Sequence, residues 1–112
     1  MFEMSNDAVM VIDREGWIRN ANARARSIFG YENTGFNQCK VFDLHPADVL
    51  EKGKEHFRKA FAEGFSRFNI EAMRKDGEAI EVEVSVSCIE HEDADFLLAI
   101  VRELTEQNQA LR

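Results

Sequence analysis

The segment "EAIEVEVSVS" alternates strictly, and that alternation limits the folds open to the chain. Ile80, Val82, Val84 and Val86 fall on one side of an extended strand, with Glu81, Glu83, Ser85 and Ser87 on the other. Such a strand has one wet face and one dry face, and it demands a sheet with its core on a single side. Two other runs break the pattern. "FLLAIV" (Phe96 to Val101) and "AVMVI" are apolar on both faces, which predicts central strands whose second face is covered by something. A missing N-terminal helix or a partner subunit is the expected cover.

The rest of the chain supplies partners for these strands. "DAVMVID", the turn "REG" and "WIRNA" read as a hairpin. Asn22 is placed to cap the helix "NARARSIFG", which puts Ala25, Ile28 and Phe29 on one face and Gly30 at the end. "YENTGFNQCKVFDL" has turn residues and no sustained period, so it reads as loop with one or two short helical turns. Pro46 suits the first turn of the helix "PADVLEKGKEHFRKAFAEG", which Gly64 closes. Its apolar stripe is Leu50, Gly53, Phe57, Ala60 and Phe61. Gly53 in mid-helix costs about 1 kcal/mol relative to alanine, which close packing, room for a ligand or nothing at all would explain. "SRFNIEAM" places Phe68, Ile70 and Ala72 on one face, and "KDG" is a tight turn. The fold class is α+β, with an antiparallel sheet and helices packed on one face.

Length and charge narrow the function. With 112 residues the chain makes one domain with one core. A net charge of −7 argues against a nucleic-acid surface, which needs a basic patch. No apolar run approaches the roughly 20 residues that span a bilayer, so no membrane insertion by this segment is expected. Cys39 and Cys88 make no disulfide framework, and reduced thiols in a cytoplasmic protein are the simpler reading. The chain ends inside the helical pattern "ELTEQNQALR", as a piece of a longer protein would. Leu104 and Leu111 are one heptad apart, a single step toward a coiled coil.

The most chemical-looking stretch is "NQCKVFDLHPADV". A reactive Cys39 needs a nearby cation or helix N-terminus, and His45 acts as its base only if the loop folds back. A half-buried loop thiol is the simpler reading, and no catalytic residue is assigned. His45, His56 and His91 fall in different segments, which argues against a metal site. The acidic run "EHEDAD" reads as an exposed hairpin turn. Arg24, Arg26, Lys52 and Lys54 read as solvated helix faces.

The segments "SNDAVMVIDREGWIRNANARARSIFGY", "VFDLHPAD", "RKDGEAIEVEVSVS" and "RELTE", in this order, resemble the PAS domain family of small sensory modules over nearly the whole chain. The resemblance implies a five-stranded antiparallel sheet over residues 1–103, followed by the start of a signalling helix at 104–112. It implies a regulatory input role, a homodimer and a C-terminal effector such as a histidine kinase or a GGDEF-type cyclase. It also implies a core that often holds a small ligand, for which Phe42, Leu44, Phe57, Phe61, Phe68, Ile70, Val82, Val84 and Leu98 are the candidate lining residues. Arg102, Glu103 and Thr105 are the candidate relay to the effector.

Departures from the family shape the cofactor expectation. Gly53 stands where haem-binding relatives place their axial histidine, and Val41 stands where the light-sensing flavin group has its adduct-forming cysteine, with Cys39 two residues early. Haem and a covalent flavin adduct are therefore disfavoured; a non-adduct flavin or a small metabolite stays open. Glu103 stands where the family commonly has aspartate. The competing readings are a ligand-free dimerisation or docking module with a filled core, and a thiol-dependent enzyme built on Cys39.

Overall fold

The computed structural model describes residues 7–31 and 36–104. Its strands are β1 (Ala8–Ile12), β2 (Ile18–Ala21), β3 (Phe65–Met73), β4 (Ala79–His91) and β5 (Ala94–Glu103). They form one five-stranded antiparallel sheet in the order β2-β1-β5-β4-β3. Two helices, α1 (Ala23–Phe29) and α2 (Leu50–Glu63), pack on one face. The two strands with double-sided apolar sequence, β1 and β5, lie next to each other inside the sheet, as their composition requires. No helix among the described residues is long and apolar enough to cross a membrane.

The alternation in β4 resolves as expected. Val82, Val84 and Val86 are buried, while Glu83 and Ser85 pair on the other side with Arg102 and Ile100 of β5. In β5 the inward residues are Leu97, Ala99 and Val101, which leaves Phe96, Leu98 and Ile100 on the far face. There Leu98 sits opposite Val11 and Ile100 opposite Val9. Ile100 is 39% exposed, so this apolar patch is open to a further surface. The β4–β5 turn has Glu92 and Asp93 both at positive φ, 52° and 65°, the twist a two-residue antiparallel hairpin requires.

The first hairpin is built by a carboxylate. Asp13 Oδ1 accepts from the amides of Glu15 (3.0 Å) and Trp17 (2.9 Å), and Arg19 Nε reaches Asp13 Oδ2 at 2.7 Å. Gly16 completes the turn at φ +97°, and a Cβ there would lie 2.6 Å from the Phe42 ring. The helix ends also follow from sequence: Gly30 and Gly64 close α1 and α2 in the left-handed conformation.

One boundary differs from the sequence reading. Pro46 does not open α2. It precedes a separate 3-10 turn, Ala47–Val49, and the α-helix begins at Leu50. Val49 sits at φ −115°, ψ 6°, off the helical path, so the chain tightens through a 3-10 turn before the helix proper. The loop before it forms two more 3-10 turns, Phe36–Gln38 and Val41–Leu44. At the other end Leu104 is still docked on the sheet: its amide donates to the Glu81 carbonyl at 2.8 Å and its side chain is buried. Thr105, Leu111 and the expected signalling helix beyond Leu104 lie outside the described residues.

Asn22 joins helix and sheet. Its side chain is fully buried, and Oδ1 accepts from both Val9 N (3.0 Å) and Ala25 N (2.9 Å), while Nδ2 donates to the Asp7 carbonyl at 2.9 Å. Replacing it removes a helix cap and leaves a strand amide buried without an acceptor. Asn22→Ala is expected to destabilise the domain by about 2–4 kcal/mol in urea unfolding. Asn22→Asp keeps the acceptor for Val9 and Ala25 but sets a buried oxygen against the Asp7 carbonyl, and is expected to destabilise it as well.

Candidate functional site

A cavity of about 60 Å³ lies between the sheet and the helical side of the domain. The sheet contributes its inward rows: Met10 and Ile12 from β1, Phe68 and Ala72 from β3, Val82, Val84 and Val86 from β4, and Leu97, Ala99 and Val101 from β5. The roof is Phe29, Val41, Phe42, Leu44, His45, Gly53, His56 and Phe57. The walls are hydrocarbon, aromatic ring and thioether, except at two imidazoles. An apolar cavity of roughly 150 Å³ holds a benzene ring. This one has room for roughly two or three heavy atoms by the same measure.

The aromatic roof is interlocked. Phe57 meets Phe42 edge-on at 4.9 Å and Phe61 at 5.1 Å. His56 lies flat on Phe68, with centroids 3.8 Å apart and planes 7° from parallel, and its Nδ1 is 3.5 Å from Ser66 Oγ. His45 crosses from the 3-10 segment to β3, where its Nδ1 is 3.1 Å from the Glu71 carbonyl. The same ring rests on α2 at Gly53: a Cβ at that position would lie 2.7 Å from His45 Cδ2 and 2.8 Å from Nε2. The mid-helix glycine is therefore explained by close packing of an imidazole against the helix backbone.

Burial holds the His45 imidazole below its ordinary titration range, against an opposing pull from the Glu71 carbonyl. His56 is also held low, first by burial and then by the positive charges of Lys52 and Lys59. Both rings favour the neutral form.

Six of the nine pocket candidates read from sequence line this cavity: Phe42, Leu44, Phe57, Phe68, Val82 and Val84. Three do not. Leu98 is a correction of parity, since Leu97 and Ala99 point inward and Leu98 points to the opposite face. Ile70 is buried in the same core, but Phe68 and Ala72 on either side of it form the wall. Phe61 lies a turn beyond Phe57, where the Arg14 guanidinium sits 4.5 Å from its ring centre. Sequence reasoning missed Leu97, Ala99 and Val101, because a strand apolar on both faces does not reveal which parity is inward. It missed His45 and His56 as well; the one available signal was the unexplained glycine in α2.

Cys39 and His45 fall in two separate neighbourhoods. Cys39 is half-buried beside Tyr31, whose phenol is raised above its ordinary value by burial and by its hydrogen bond with Cys39. His45 is engaged with Glu71 and Gly53 instead. His91 lies exposed on the β4–β5 hairpin, apart from the other two histidines. Arg26 is more than a solvated face, since its guanidinium donates to the Ala21 carbonyl. At the junction, Arg102 Nε is 3.4 Å from Asp7 Oδ1, and Glu103 pairs in register with Val82.

The cavity as it stands is smaller than a haem or a flavin ring system.

The family described as the PAS fold matches residues 2–109. The chain is 25% identical over 114 residues to the sensor histidine kinase TmoS of Ectopseudomonas mendocina, covering 98% of this chain and 12% of that protein. The chain thus spans about an eighth of that relative. Among solved structures, it superposes on a PAS domain from Colwellia psychrerythraea with a TM-score of 0.84 at 24% identity, over 94% of this chain and 92% of the other. It also superposes on the PAS domain, in complex with ethanol, of a LuxR-family transcriptional regulator from Burkholderia thailandensis, with a TM-score of 0.75 at 17% identity, over 92% and 93% of the two chains.

Two outcomes follow from the histidines. Gly53→Ala is expected to destabilise the native chain, because its methyl meets a ring already held by Glu71. In a His45→Ala background the same change should stabilise by up to about 1 kcal/mol, the ordinary helix preference for alanine. A double-mutant cycle by urea unfolding reads the sign reversal. The second concerns pH. The unfolded imidazoles take up protons near pH 6.5, whereas the folded ones do so only at lower pH. Stability is thus fully present above about pH 6.5 and falls as pH drops through the lowered folded values. Melting temperatures at pH 7.5 and 5.5 should show this loss, and His45→Phe should reduce it.

Proposed function

This chain belongs to the PAS fold family, and on that footing we propose that it is the sensory input module of a larger signal-transduction protein. A small uncharged molecule enters the cavity between α2 and the sheet, and the change in packing passes to the effector through the junction at Arg102, Glu103 and Thr105. The observation that carries this reading is an apolar cavity with two neutral imidazoles in its wall. The alignment with a sensor histidine kinase supports a kinase as effector, and the ethanol-bound PAS neighbour supports an occupant of few atoms. A ligand acts here only if it binds two arrangements of the domain with different affinity.

The apolar far face around Leu98 and Ile100 favours a homodimer, with a second copy covering the sheet. That face is equally the basis of the second reading, a docking module whose core stays empty of ligand.

Ethanol titrated into labelled protein separates the two. The sensor reading expects saturable NMR shifts at Val84 and Ala99 that extend to the amides of Arg102 and Leu104. Ala99→Leu, which fills the cavity, should abolish them. Shifts that stop at the cavity would reject the relay, and an absence of saturable shifts there would reject the ligand and leave the docking module.

A further inference from the structure

We propose that His45 selects the occupant of the cavity, accepting a hydrogen bond at Nε2 from a small neutral molecule with an apolar body and one hydroxyl or N–H donor. This rests on the reading that the cavity takes a ligand.

The argument starts from a carbonyl. The Glu71 oxygen can only accept, so the His45 nitrogen 3.1 Å away, Nδ1, must carry a proton. In the neutral ring Nε2 is then a bare lone pair. Burial, which disfavours the charged ring, points the same way. The Nε2 edge lies over Gly53, where the helix has no side chain to cover it, and both residues belong to the cavity wall. The glycine admits the ring, and among the described residues no group hydrogen-bonds Nε2.

His56 does not offer the same definition. Its Nδ1 faces a serine hydroxyl, which can donate or accept, so its tautomer is not fixed by its partner. Its ring face is occupied by Phe68. The remaining walls are apolar, so an anion or a cation would lose its hydration without replacement. An acceptor-only molecule would leave the His45 lone pair facing another lone pair. What remains is a neutral donor of a few heavy atoms.

The test compares two probes of equal heavy-atom count: ethanol, which has a donor, and acetonitrile, which has none. Binding is read from the saturable shifts of cavity methyl groups. Ethanol should bind roughly three- to tenfold more tightly than acetonitrile, the value of one uncharged hydrogen bond. His45→Phe should erase the difference. Long-range proton–nitrogen spectra of the wild-type ring supply a readout that needs no variant: Nε2 should be unprotonated and should shift when ethanol, but not acetonitrile, is added. Equal affinities in the wild type, a preference that survives His45→Phe, or a protonated Nε2 would each overturn the proposal while leaving the cavity reading intact. If neither probe moves the cavity methyls, both fall together.

Discussion

The fold depends on one buried amide. Asn22 binds the first strand through Val9 and Asp7 and the first helix through Ala25, all with a single side chain that has no exposure. Without it, the N-terminus of α1 and the beginning of β1 would each hold unmet backbone groups in a dry interior. Because β1 lies inside the sheet beside β5, fixing the start of β1 also fixes the strand from which the chain leaves. The Asp7 backbone held by Asn22 belongs to the same residue whose carboxylate faces Arg102. Helix capping, sheet order and the junction with any following segment therefore share one anchor.

The site is made by a second constraint, which is geometric. The His45 imidazole is wedged between a β3 carbonyl and the backbone of α2, so the distance between helix and sheet is set in part by the thickness of a ring. The interlocked pair Phe42 and Phe57 and the stacked pair His56 and Phe68 complete the same layer. Rings of this kind hop between arrangements rather than compress. A molecule larger than the roughly two or three heavy atoms the cavity admits would have to displace α2 from the sheet.

Much of this was legible in the chain. The strict alternation of "EAIEVEVSVS" gave the one-sided sheet, and Asn22, Gly30 and Gly64 marked helix ends that the structure reproduces. The candidate pocket was legible wherever one face was polar, as for Val82 and Val84 beside Glu83. It was not legible in β5, where both faces are apolar and only the paired register decides between Leu97 and Leu98. The break at Val49 was hidden because a 3-10 turn and a first α-turn share the same residue preferences. His45 was hidden for another reason. Its partners, Glu71 and Gly53, are distant in sequence, and a glycine records that something approaches without recording what.

The pairing of β1 with β5 has a mechanical consequence. The two strands are antiparallel, and Ala8 at the start of one lies opposite Val101 near the end of the other. Tension applied across these two points pulls perpendicular to the strands, in line with the hydrogen bonds of the ladder. It loads the bonds one after another, as a zipper opens, instead of shearing all of them together. A domain held this way yields readily to a pull across Ala8 and Val101, so force transmitted along a longer polypeptide would open that end first.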